Sequence, residues 1–141
     1  MSDGWDRVRE ELDLWAAQKR VAQFWWRDDD AQDTSDQLTA MLAVARVFEV
    51  TIGLSAIPSG LSRRLVSTLA RSKEAQMLVH GLAHENHAGP GRAKRELGGA
   101  RRLDEVVADL ASELALARDA FGTHVLPVLV PPWNRIHPGA L

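Results

Sequence analysis

Four short apolar runs separated by stretches of helical spacing constrain this chain more than any other feature. Val21-Ala22-Gln23-Phe24-Trp25-Trp26-Arg27 is aromatic-rich, Val50 to Ile57 is β-branched and apolar, Gln76 to Val79 is a third run, and Val125 to Val130 a fourth. Such runs read as strands, and those without polar alternation as strands buried on both faces. Between them, Thr34 or Ser35 can cap a helix carrying Leu38, Met41, Leu42, Val44, Ala45 and Phe48, and Leu61, Leu65 and Leu69 mark another reaching Ser72. Leu103, Val106, Val107, Leu110, Leu114, Ala117 and Phe121 define a long third, with Gly122 as its stop. Ahead of the first strand, Trp5, Val8, Leu12 and Trp15 form a helical stripe within about Asp3 to Lys19, and its tryptophans are expected to be core anchors. Strands that alternate with helices imply a parallel sheet with right-handed crossovers. The expected class is therefore α/β, a parallel sheet of βα repeats in a single domain over residues 1–141.

Composition narrows the function classes. A chain of 141 residues with 45% hydrophobic and 26% charged content can build one real core. Its net charge of −2 argues against a dedicated nucleic-acid partner. The glycine- and arginine-rich run 88–102 is accordingly read as a solvated loop with one short helix rather than a phosphate or nucleic-acid site. No apolar run approaches the roughly 20 residues that span a bilayer, so no membrane partner is expected. The acidic N-terminus lacks a signal peptide's basic and apolar regions, which makes a cytoplasmic protein the expectation. With no cysteine, any metal must be held by histidine and carboxylate.

Three of the four runs end in polar or unusual residues: Asp28-Asp29-Asp30, then His80-Gly81-Leu82-Ala83-His84-Glu85-Asn86-His87, then Pro131-Pro132-Trp133-Asn134-Arg135. In parallel α/β folds the C-terminal strand ends share one edge, and sites assemble there. The aspartates and histidines should therefore meet. Two imidazoles and a carboxylate form a catalytic metal set that leaves a position open for water, which suits hydrolysis of an amide or ester. Other motifs fit less well: His84-Glu85-Asn86-His87 is one residue short of the H-E-x-x-H helix, and no Walker A, G-x-G-x-x-G or G-x-S-x-G run is present.

Here the sequence resembles the polysaccharide deacetylase family, carbohydrate esterase family 4. An Asp-Asp pair at the end of strand one is matched within Trp26-Arg27-Asp28-Asp29-Asp30-Ala31. H-(S/T)-x-x-H is matched by His80-Gly81-Leu82-Ala83-His84, with Gly81 where Ser or Thr is usual, and R-x-P-(Y/W) is matched in part by Val130-Pro131-Pro132-Trp133. The resemblance implies a partial (β/α) barrel that removes N-acetyl or related acyl groups from a carbohydrate or similar small molecule. It implies a divalent metal, most often zinc, on Asp30, His80 and His84, with Asp29 as general base. Three consecutive aspartates leave a second register open, in which Asp28 and Asp29 are base and ligand.

The departures carry expectations of their own. Val130 stands where the family has the arginine that pairs with the base, and Arg27 or Arg135 can substitute. Arg27, Pro132, Trp133 and Arg135 are the expected substrate contacts. The family's late general acid has no counterpart in its usual place, and His87 is a better replacement than His124, which precedes a strand, or His137. With only the N-terminal part of a barrel, the sheet cannot close, and a homo-oligomer is expected to cover its edge. A catalytically silent scaffold with a binding or assembly role is the alternative function.

Overall fold

The structure, a computed structural model, describes residues 3–140. The elements are α1 (Gly4–Ala17), β1 (Trp26–Ala31), α2 (Asp36–Val47), β2 (Ile52–Ala56), α3 (Arg63–Leu69), β3 (Ala75–Val79), α4 (Leu103–Phe121) and β4 (Val125–Leu129). The four strands form one sheet in the order β1-β2-β3-β4, every pair parallel. One core cluster joins Leu38, Leu42 and Ala45 of α2, Leu65 and Leu69 of α3, and Phe121 of α4 to Ile52, Leu54, Ala56, Ala75 and Met77 of the strands. All three crossover helices thus share one face of the sheet, which leaves the other face to the residues that alternate with these. The chain is α/β, as the alternation of patterns predicts.

Local chemistry explains the element starts. The Ser35 hydroxyl accepts from the Leu38 N–H at 3.0 Å, and Ser62 caps α3 by accepting from Leu65 at 3.0 Å. Gly122 follows α4 at φ 57 and ψ −126, a conformation that glycine reaches without strain and that ends the helix.

Four expectations fail for identifiable reasons. The first strand is not Val21 to Arg27 but Trp26–Ala31, so the aspartates lie inside it. Val21, Phe24 and Trp25 are exposed instead, and Asp28 pairs with Leu54 in register, so pairing to β2 overrides the aromatic propensity upstream. The tryptophan stripe of α1 is not a core anchor. None of the helix is buried, Trp5 is 66% exposed, and the stripe faces Ala22 and Phe24 across an apolar groove of about 520 Å³. In run 88–102 no short helix forms; the segment folds back so that Glu96, Leu97 and Gly98 are buried, with Leu97 bridged to Ile136. Lastly, β4 is only partly buried, because it is an edge strand, and its Pro127 has no N–H to give a ladder.

Candidate metal centre

The C-terminal end of β3 is pinned on both sides. The His80 N–H donates to the Ala56 carbonyl at 2.9 Å, and the Val130 N–H donates to the Val79 carbonyl at 2.8 Å. The His80 side chain is buried, with Nδ1 2.9 Å from the Val130 carbonyl oxygen. A carbonyl only accepts, so Nδ1 carries a proton, and in the neutral ring the lone pair is then on Nε2. That lone pair points at Asp30 Oδ1, 3.2 Å away, and His84 Nε2 lies 3.2 Å from the same oxygen. Two imidazole nitrogens converging on one carboxylate oxygen are a donor set that fits a divalent ion when the rings are neutral. Among the described residues, Asp30, His80 and His84 are the one group of three such side chains with ligand atoms all within 4.8 Å of one another.

The backbone is bent to make this cluster. The β1–β2 register shifts between Asp28 and Ala31, and at this bulge Asp30 takes φ 66. His84 has φ 57, Trp133 φ 53 and Asn134 φ 55. Left-handed backbone is uncommon outside glycine and concentrates at functional sites. The other two non-glycine cases, Lys19 and Glu49, directly follow the C-caps of α1 and α2, where that conformation is an ordinary helix stop. Trp133 packs against His84 at a tilt of 44°, their ring centroids 4.3 Å apart, and so walls the cluster on one side.

Of the three aspartates, Asp30 is the one beside both imidazoles. Asp29 is gripped by Arg27, with Nε 3.0 Å from Oδ1 and an Nη donating to Oδ2 at 3.1 Å. Of the two arginines weighed as its partner, Arg27 fills the place and Arg135 does not, since Arg135 donates to the Trp133 carbonyl at 3.1 Å. Burial, then the charges of Asp29 and Asp30, hold the Asp28 carboxyl above its usual range. Pro132 is buried against Gly81. His87 lies outside the cluster: its side chain lines a separate cavity of about 400 Å³ with Glu85, Glu96 and Arg101, and its N–H donates to the Arg95 carbonyl at 2.9 Å. His124 lies at the opposite end of the sheet, just before β4, and His137 Nδ1 accepts from the Gly139 N–H at 3.0 Å.

One residue of the site escaped sequence reasoning. Glu96 is 1% exposed, and its Oε1 accepts from the Ala83 N–H at 2.8 Å, inside the turn between the two histidines. A Cβ at Gly81, which has φ +67, would lie 1.9 Å from Glu96 Oε2 and 2.5 Å from Pro132 Cγ. Glu96 therefore occupies the space a Ser or Thr side chain would need, and braces the turn from a distant segment. The readable signal was the glycine itself, at the one variable position of that motif. Gly81→Ser should destabilise the fold by about 2–4 kcal/mol, from backbone strain plus the clash. Urea unfolding measures this, and an unchanged midpoint would show that the turn has room for a side chain.

Fold and site together define a class: a parallel α/β sheet carrying a two-histidine, one-carboxylate cluster at its C-terminal edge. No family model matches the sequence, and no curated protein or solved structure matches it either.

Proposed function

We propose that the chain is a metal-dependent hydrolase of the polysaccharide deacetylase type, which removes N-acetyl or related acyl groups from a carbohydrate or similar small molecule. The observation that carries this reading is the convergence of Asp30, His80 and His84, with both imidazole Nε2 atoms 3.2 Å from one carboxylate oxygen. When bound there, a divalent ion such as zinc polarises an acyl carbonyl and makes water acidic enough to attack it near neutral pH. The protein's own groups supply the rest. Asp29 takes the proton from the attacking water, and Arg27 orients the carboxylate through one hydrogen bond to Oδ2 and an ion-pair contact with Oδ1. Trp133 walls the site, holding the acyl group against His84, while Pro132 is buried beneath Gly81 and supports the turn from inside. His87, in its separate cavity, has no step in this scheme, and the proton that Asp29 has taken is the one passed to the leaving amine. The sheet, with its helices on one face, is read as the first half of a (β/α) barrel. Its exposed β4 edge and the uncovered apolar side chains of α1 favour a homo-oligomer, measurable by sedimentation.

Asp29→Asn tests the chemistry apart from the metal. It should leave metal affinity nearly unchanged while lowering acetate release from N-acetyl substrates by about 100-fold or more, the scale of a lost general base. Turnover that survives the change removes Asp29 from the mechanism, whereas His87→Gln, outside the cluster, should leave turnover unchanged. A wild-type chain that binds metal yet releases acetate from no N-acetyl sugar is the silent scaffold instead.

A further inference from the structure

The glycine- and arginine-rich run plays no part in the chemistry above, yet it is folded. It lines an open pocket of about 540 Å³ in which Arg92 and Arg95 are the charged residues and the rest are alanine and glycine. Neither guanidinium has a carboxylate partner among the described residues, whereas the neighbouring Arg101 is paired with Asp109 and Arg102 with Asp104. Arg95 is half-buried, and its Nε is shut away from solvent with no hydrogen-bond acceptor. A buried N–H donor without an acceptor is an unmet polar group that a bound anion would satisfy.

The surroundings hold Arg95 in place. Its N–H donates to Asn86 Oδ1 at 3.0 Å, and its carbonyl accepts from the His87 N–H at 2.9 Å. A Cβ at Gly98 would lie 2.7 Å from Arg95 Cδ, so the side chain runs through space that only a glycine leaves open. A Cβ at Gly99 would lie 2.3 Å from the His87 carbonyl oxygen, so the pocket wall is tightly packed there. Glycines are thus required where the run packs on itself, which a merely solvated loop would not need.

We propose that this pocket is a binding site for a phosphate-class oxyanion carried by a small molecule, held between the Arg92 and Arg95 guanidiniums. The planar guanidinium fork matches a tetrahedral oxyanion in two-point contact, and Arg95 offers a buried Nε donor with no other acceptor. A nucleic-acid strand is disfavoured by the net charge of −2 and by a cationic surface that is a pocket rather than a stripe. The site adjoins the metal centre through Lys94, whose Nζ lies 5.7 Å from the centre of the Trp133 ring that packs on His84. It does not depend on that centre being catalytic.

The test is calorimetric titration of the full chain, freed of metal with a chelator, with inorganic phosphate and with sulfate at low ionic strength. Saturable one-site binding is expected. Arg95→Gln and Arg92→Gln should each weaken it about tenfold or more, on the scale of one lost charge-assisted hydrogen bond. Arg63→Gln/Arg64→Gln on the exposed face of α3 should leave it unchanged, and so should His84→Asn, which separates this site from the metal centre. Arg92 is exposed, so its variant does not put folding at stake. The proposal is overturned if phosphate gives no saturable binding, or if binding survives the Arg92→Gln/Arg95→Gln pair. It is equally overturned if the α3 control weakens binding as much, or if oligonucleotides bind with steep salt dependence where phosphate does not.

Discussion

Replacing any one of Asp30, His80 and His84 is expected to weaken binding of a divalent ion by more than about 100-fold, since losing even a group that only supports a ligand costs about 10- to 100-fold. The choice of variant matters. Asp30 and His84 sit at φ 66 and φ 57, so alanine would add backbone strain to the lost ligand. Asparagine tolerates the left-handed region, so Asp30→Asn and His84→Asn isolate the coordination term. His80→Ala removes a buried ring and its contact with the Val130 carbonyl, and should also lower stability. Competition with a chromogenic chelator reads all three. An Asp28→Asn variant serves as the register control and should bind as tightly as wild type.

The second large effect concerns stability and lies away from the site. Glu113 is on α4, fully buried, and neither carboxylate oxygen has a hydrogen-bond partner. Desolvation, reinforced by the charges of Glu96 and Asp109, pushes its carboxyl from the usual 4.5 up to about 8. In the native protein it therefore stays protonated where the unfolded chain has already ionised. Below about pH 4.5 both forms hold the proton and the full stability is present. As pH rises from there, the unfolded state is favoured progressively, and the loss is complete once the folded group ionises near pH 8. At about 1.4 kcal/mol for each pKa unit, the total is on the order of 5 kcal/mol. Glu113→Gln keeps the shape and removes the titration. Its urea midpoint should match wild type near about pH 4.5 and exceed it clearly at about pH 8.5. Parallel curves for the two proteins would mean that Glu113 finds a partner or ionises normally.

Helix and strand order was legible because each element carries its own periodicity, and because Ser35 and Gly122 are residues whose chemistry marks a helix end. Asp30 and the histidines could be brought together on paper for one reason: in a parallel sheet, strand ends share an edge whatever their separation in sequence. What stayed hidden depends on contacts between distant segments. The bulge that turns Asp30 toward the imidazoles follows from pairing with β2, which nothing in Asp28-Asp29-Asp30 announces. The α1 stripe has the spacing of a core helix, yet its neighbour is the segment around Ala22 and Phe24 rather than the sheet. Glu96 lies fifteen residues beyond Gly81 in a run whose composition suggests solvent. Glu113 left a trace: it falls on the line of Val106, Leu110 and Ala117, a charge on the buried stripe of α4.

The most direct test of the account is the metal content of the wild-type chain, measured by elemental analysis after incubation with zinc and exhaustive dialysis. A site preformed by Asp30, His80 and His84 should retain about one ion per chain, and His84→Asn protein treated alongside should retain almost none. Wild-type protein that keeps no more metal than the variant would contradict the central claim, and the three side chains would then be a hydrogen-bonded cluster rather than a metal centre.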